Sequence, residues 1–458
     1  MSESLLIENG TVWTGGKTPR VLARHSVLIE NGFIARVAPN EQLRSLAGKR
    51  IDAAGKIVLP GFINAHTHFY STFARGLTKT RPARDFRAVL ENLWWRLDSA
   101  LTTEDCYYSA LIALLESIRH GTTTLLDHHA SPNAVGGSLN AISEAVRETG
   151  LRACLCYEVS DRDGARIARE GLEENVSFIR KCQAERSPRP KIQGLKSTPP
   201  SPANLAALFG LHAAFTLGDA TLAKAASLGR ELGAGFHIHV AEAKSDQEHS
   251  RRRHAMRVVA RLDKFGILGP QTLAAHCVHV NGREMDLLAE TGTAVVHNPQ
   301  SNMNNAVGVA NVAALSRRKV LLGLGTDAMT ANMLEELRAA LWAQHLSAGN
   351  PSAGFSEVVT ALVTNNPEIA RRAFNLPLGE LREGCVGDLV LIDYDPPTPL
   401  DNGNSFGHLL FGMSQAAVDA TIVGGKLLMR NRRLALNLDE PRIHARAREL
   451  ARKLWSRM

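Results

Sequence analysis

Four short polar clusters in this chain carry residues able to bind a metal ion and move protons. His66-Thr67-His68 follows the apolar run Val58–Asn64. Side chains two apart on a strand face the same way, so both imidazoles can reach one ion; a hydrogen-bonded structural pair has the same spacing. His237-Ile238-His239 repeats the pattern and is followed by Glu242. If His239 ends a strand, Glu242 lies in the loop beside it, and His237 reads as a core histidine. In His276-Cys277-Val278-His279 one histidine should face the site and the other be structural. Gly323-Leu324-Gly325-Thr326-Asp327 places a carboxylate after residues small enough for close backbone approach. The same glycines loosely fit a dinucleotide fingerprint, but no acidic residue ends a following strand about twenty positions on.

A histidine/aspartate set of this kind suits zinc, with iron as the alternative. Such a metal lowers the pKa of bound water toward about 7 and supplies hydroxide at neutral pH. Asp327 can then take a proton, Glu242 can donate one to an electrophilic ring nitrogen, and His276 can polarise a developing oxyanion. The expected chemistry is hydrolysis of a small molecule.

The surrounding sequence supplies strands to carry these clusters. Up to about Lys56, short β-rich runs alternate with Asn-Gly turns (Asn9-Gly10, Asn31-Gly32), which predicts a small β module. From Ile57, apolar runs such as Ile57–Asn64, Thr122–Asp127, Ala153–Glu158, Ala206–Leu211, Gly235–Val240 and Val320–Gly325 alternate with helical stretches. That grammar predicts a parallel (β/α)8 TIM barrel, whose sites lie at the C-terminal strand ends. After Pro377 β-rich runs return, and a helix closes the chain. The expected organisation is 1–56, first part of a β-sandwich; 57–376, barrel; 377–458, second part of the sandwich and C-terminal helix. Neither flank can bury a core alone, so the two should form one composite module. The Pro-rich segment Arg186–Pro202 reads as a surface insertion.

Composition removes other classes. The chain has 458 residues, 44% hydrophobic and 21% charged, and six dispersed cysteines with no Cys-x-x-Cys pair; buried thiols of a cytoplasmic protein are expected. The longest apolar runs are too short to span a membrane. The net charge of +8 is spread along the chain and lacks the interleaved aromatics of a nucleic-acid surface. The His-x-Glu with Pro-Cys-x-x-Cys signature of polynucleotide deaminases is absent. The expectation is a small-molecule substrate, no nucleic acid, no membrane, and a homodimer as the common arrangement.

Pro60-Gly61-Phe62 through His66-Thr67-His68, His239-x-x-Glu242, His276 and Gly325-Thr326-Asp327 resemble the amidohydrolase superfamily, in the order of its cytosine deaminase-like, or triazine hydrolase (ATZ/TRZ), branch. Glu383–Val390 and Val423–Lys426 resemble that family's second β segment. Longer peptides, Asn92–Asp98, Asp127–Pro132 and Ser301–Asn305, are similar to the aminohydrolases called SsnA. The resemblance implies one divalent metal held by His66, His68, His239 and Asp327, with Glu242 and His276 moving protons and polarising substrate. It also implies substrate contacts by His212 and His297. His212 lies in a loop where the family's usual proline is Ala214. Trp94 falls on a loop and helix that the branch places over the pocket, as a lid or an interface, and His128 is the candidate contact at the end of the second strand. Binuclear relatives use a modified lysine near the fourth strand; here His212 holds that region, and Lys191 and Lys196 lie in the Pro-rich segment. The implied function is hydrolytic deamination of a small, purine-related nitrogen heterocycle. The alternatives are hydrolysis of a cyclic amide or carbon–halogen bond, or a non-catalytic metal- or ligand-binding protein.

Overall fold

The computed structural model describes residues 4–46, 48–78, 81–186 and 202–458. Lys191, Lys196 and nearly all of the Pro-rich segment lie outside the described residues. Eight parallel strands form the barrel: β1 (Phe62–Thr67), β2 (Thr122–Asp127), β3 (Arg152–Leu155), β4 (Leu205–Ala207 and Phe209–Ala213), β5 (Phe236–Val240), β6 (Leu273–His276), β7 (Ala294–His297) and β8 (Leu322–Leu324). Almost every residue on them is buried, as expected for strands covered on both faces. Leu208 splits β4. Its first piece pairs back to β3 and its second forward to β5.

The barrel closes between β8 and β1 with little ladder: a single bridge, Thr67 to Asp327, and hydrogen bonds from Thr326 N and Asp327 N to His66 O, both 3.0 Å. Side-chain amides complete the seam. Asn64 Nδ2 donates to Thr326 Oγ1 at 2.7 Å. Asn366 Nδ2 donates to Ile63 O and Leu324 O, both 2.7 Å, and its Oδ1 accepts from Leu324 N at 2.8 Å.

The flanking module is a sheet of nine strands drawn from both ends of the chain. Ser4–Trp13, Val21–Glu30 and Phe33–Pro39 pair antiparallel, and Leu389–Asp393 joins them through Ile57–Pro60. Ile7, Val27, Ile29, Leu389, Leu391 and Ile422 share one core. Ile57–Pro60 was expected to begin the first barrel strand; instead it lies in this sheet, so the boundary at 56/57 falls before a strand of the flanking module. The switch occurs at Gly61, where a Cβ would lie 2.3 Å from Thr123 side-chain atoms; only glycine lets the chain pass there. The C-terminal helix, Glu440–Arg457, also differs from expectation. Leu450 and Leu454 pack in the core of barrel helix Thr103–Arg119, and Trp455 Nε1 donates to Phe73 O at 2.7 Å. The helix belongs with the barrel.

A buried ion pair between Arg152 on β3 and Asp388 locks barrel to sheet, and Asp388 Oδ1 accepts from Gly424 N at 2.7 Å. All six cysteines are buried and unpaired in disulfides. Among the described residues no helix is long and apolar enough to cross a membrane.

Replacing Asn366 by Leu strands three buried backbone groups, each costing about 1–3 kcal/mol. Chemical denaturation should show a loss of about 3 kcal/mol or more; a loss under about 1 kcal/mol contradicts the side-chain closure of the seam.

Candidate active site

The C-terminal strand ends gather His66 and His68 (β1), His239 (β5), His276 (β6) and Asp327 (just past β8). Three close groups of potential ligand atoms occur among the described residues: His66, His68, His128 and His239; His66, His276 and Asp327; and Glu158, His212 and His239. Asp327, His276 and Cys277 have left-handed backbones, with φ of 51°, 73° and 50°. Such non-glycine strain costs about 1–3 kcal/mol per residue and here aims side chains across the barrel mouth.

Each central histidine has its Nδ1 engaged, which leaves Nε2 for the centre. His68 Nδ1 lies 2.5 Å from His128 O, and His239 Nδ1 lies 2.8 Å from His212 O. Carbonyls only accept, so both Nδ1 atoms carry a proton, and each Nε2 is the atom that can offer a lone pair to a metal. Those two Nε2 atoms are 3.2 Å apart, an arrangement that a proton or a cation between them must relieve. His66 is set by a relay. Cys156 Sγ donates to Asp127 O at 3.4 Å, leaving sulfur to accept from His237 Nδ1 at 3.7 Å. His237 Nε2 then accepts from His66 Nδ1 at 2.8 Å, and His66 Nε2 is buried without a partner. Outer partners of this kind fix ligand tautomers. Asp327 Oδ1 is 3.1 Å from His68 Nε2 and 3.8 Å from His66 Nε2. His66, His68, His239 and Asp327 therefore fit a single divalent metal, on the strength of converging lone pairs and an orphaned buried nitrogen.

His276 is set the opposite way. Its Nδ1 faces the Asn302 amide nitrogen at 2.8 Å and accepts, so Nε2 carries the proton. That Nε2 lies 3.5 Å from Glu242 Oε2 and 3.7 Å from Asp327 Oδ2. His276 is thus a donor, distinct from the three ligand-type imidazoles. His279, its neighbour in sequence, bonds Val307 O through Nε2 at 2.7 Å and is structural.

Burial pushes the His276 pKa down to about 3 and holds His66 well below its ordinary value, so both imidazoles are neutral. Burial, reinforced by the charge of Asp327, lifts Glu242 well above the usual carboxylate range. That direction suits a proton donor. For Asp327, burial raises the pKa, but the hydrogen bond and charge of His68 outweigh it and keep the group ionised. Ser301 Oγ donates to Asp327 Oδ2 at 2.5 Å, and Asn305 Nδ2 donates to Glu242 Oε1 at 3.2 Å.

A small cavity opens onto this centre. Its wall includes His68, His239, Glu242 and Asp327 together with Trp94, Trp95, Phe86, Phe215 and His212. Trp94 and Trp95 lie on a helical segment, Phe86–Ala100, interrupted by a π turn at Leu90–Trp94, a distortion often found at functional sites. Both tryptophans are cavity wall: Trp94 packs on Tyr70 and Trp95 on His212, each with centroids 6.4 Å apart.

His128 and His297 correct the sequence expectation: neither lines this cavity. His128 turns beneath the floor, stacked on His237 at 4.4 Å; its carbonyl holds His68 Nδ1, and its ring lies in the close group with His66, His68 and His239. His297, on β7, is 1% exposed with both ring nitrogens unpartnered. Sequence reasoning passed over Glu158, Asp98 and Arg162, all on the wall. Glu158 ends the predicted strand Ala153–Glu158, but a lone acid there carried no motif. Asn302, Ser301 and Asn305 were visible only as a family-like peptide; their spacing on the turn Pro299–Asn304 and just beyond is what lets each reach a different site residue.

The chain belongs to the amidohydrolase family, whose model matches residues 57–428. The family is metal-dependent. Among curated relatives, the chain is 31% identical to 5-methylthioadenosine/S-adenosylhomocysteine deaminase of Pelotomaculum thermopropionicum, with 99% of each chain covered. It is 32% identical to 5'-deoxyadenosine deaminase of Methanobrevibacter smithii, covering 94% of this chain and 93% of that one. Among solved structures, an adenosine deaminase from Xanthomonas campestris with bound zinc superposes with a TM-score of 0.82 at 24% identity, covering 99% of this chain and 98% of that one. Atrazine chlorohydrolase TrzN from Arthrobacter aurescens TC1, complexed with zinc, gives 0.78 at 22% identity, covering 98% of this chain and 100% of that one. These two share the barrel with its flanking sheet.

Replacing His237 by Phe removes the partner of His66 Nδ1. Metal retention against a chelator should fall about 10–100-fold, with the fold intact by circular dichroism; unchanged retention contradicts the relay.

Proposed function

We propose that the chain is a hydrolytic deaminase of a purine-related ring, using one zinc ion held by His66, His68, His239 and Asp327. One observation carries the reading. His276 Nε2, whose proton its Asn302 contact fixes, lies 3.5 Å from the Glu242 carboxyl and 3.7 Å from Asp327, beside the converging imidazoles of His66, His68 and His239. The deaminase names of the full-length relatives point the same way.

When bound, the metal supplies Lewis acidity that makes water nucleophilic near neutral pH. The protein's own groups do the rest. Glu242 gives its proton to the ring nitrogen beside the carbon under attack, which prevents negative charge building on the ring. His276 Nε2–H donates to the oxygen that develops on that carbon. Asp327, steadied by Ser301, accepts one water proton and returns it to the departing amine; the second water proton restores Glu242 as the ring carbonyl forms, so water adds and ammonia leaves. Trp94, Trp95 and Phe86 exclude bulk water from the face of the ring.

Replacing Glu242 by Gln keeps the shape and removes the acid. Ammonia release from amino-substituted heterocycles should fall at least about 100-fold while metal content, measured by elemental analysis, stays at one per chain. Turnover within a few-fold of the parent enzyme rules out the assigned role.

A further inference from the structure

Glu158 is 5% exposed, lines the active-site cavity and has no part in the chemistry above. One of its oxygens, Oε1, lies 3.2 Å from His68 Nδ1 and 3.5 Å from His128 Nδ1. The other, Oε2, faces His212 Nε2 at 3.8 Å. The protonation of His212 follows from its neighbours. Thr216 Oγ1 donates to Ala213 O at 3.1 Å, so toward His212 Nδ1, 2.7 Å away, it can only accept. His212 Nδ1 therefore carries the proton, and Nε2 is left as the acceptor.

Two acceptors, a carboxylate oxygen and an imidazole lone pair, thus face each other on the cavity wall. A second metal does not satisfy them. The third member of that group, His239, has its Nδ1 committed to His212 O and its only free nitrogen pointed at the main centre. Two ligands do not make a site. A polar N–H does fit: it donates into a gap already flanked by acceptors. Hydrogen-bond donors stand next to this pair. Trp95, packed on His212, has an Nε1–H with no partner among the described residues. The Arg162 guanidinium lies over the Trp95 ring at 5.3 Å, held by Asp98 and Asp163. Acceptors beside donors complement an N–H beside a C=O. The pair also sits against His68 and His239, about one imidazole's width from the metal-facing nitrogens, so it addresses the substrate ring itself and not a distant substituent.

We infer that Glu158 and His212, with Trp95 and Arg162 beside them, select a heterocycle carrying a ring lactam, –NH–C(=O)–, in addition to its scissile amino group. This rests on the deaminase reading above. The six-membered ring of adenine, with bare N1 and N3, lacks such an edge; oxo-aminopurines have it. A site built around buried polar groups rejects an analogue that leaves them unpaired far more strongly than it rejects a change of size.

Matched pairs test this: guanine against 2-aminopurine, and isoguanine against adenine, each pair differing by the lactam. With metal-replete enzyme, kcat/KM for ammonia release should favour the lactam member at least 10-fold in whichever pair is deaminated. Glu158→Gln should reduce that preference at least 10-fold, chiefly through KM. Because Glu158 touches His68, metal content is checked; if it falls, Trp95→Phe, which removes a donor without touching a ligand, should weaken the same preference. A preference near unity or for the ring without a lactam, or a Glu158→Gln variant that retains its metal and slows both members equally, overturns the inference. If no ring releases ammonia, the deaminase reading fails, but binding still decides this one. Hypoxanthine should raise the melting temperature of the parent enzyme more than purine does, and the difference should vanish in Glu158→Gln. Equal shifts by the two rings in the parent enzyme overturn it.

Discussion

The site depends on how the barrel closes. Strands β8 and β1 share one bridge, and the amides of Asn64 and Asn366 stand in for the missing ladder. This seam brings Asp327 against His66 and His68: the Thr326 and Asp327 amides donate to His66 O, and Thr67 Oγ1 donates to Asp327 O at 3.0 Å. Gly325 is what permits it, since a Cβ there would lie 2.6 Å from Asn298 Oδ1 and 2.8 Å from His66 O. A larger residue would force the strands apart and move the carboxylate from the imidazoles. The Gly-x-Gly before Asp327 serves closure, not a dinucleotide.

Around that seam, a set of Nδ1 contacts decides what each histidine can do. Carbonyls or a histidine relay hold His66, His68 and His239 with Nε2 turned to the centre. An amide nitrogen holds His276 with Nε2 protonated. Four imidazoles of one residue type are thus divided into ligand and donor roles by second partners alone. The same logic, applied to Thr216 and His212, makes the far wall an acceptor surface.

Much of this was legible in the sequence because the period of a strand is two. His66 and His68, or His237 and His239, must share a face once they lie on one strand, and strand–helix alternation implies the barrel whose strand ends hold the site. Other features were not legible because they depend on contacts between distant segments. Nothing local says that His237 turns its Nε2 to His66, or that His128 contributes a carbonyl. Glu158 and Arg162 acquire meaning only when β3 lies beside β4 and the helical segment bearing Trp95 folds over both. The switch at Gly61 escaped for a related reason. Ile57–Asn64 is one apolar run, and only the crowding by Thr123 reveals that it serves two sheets.

The Nε2 atoms of His66, His68 and His239 together with Asp327 are proposed as one metal position, with His276 and Glu158 outside it. The most direct measurement is a crystal of the metal-replete protein with anomalous differences collected across the zinc edge. The account predicts a single peak per chain, bonded to Nε2 of His66, His68 and His239 and to Asp327 at about 2.0–2.2 Å. A second peak between Glu158 and His212, or a single ion ligated by His276 in place of one of the three, would contradict it.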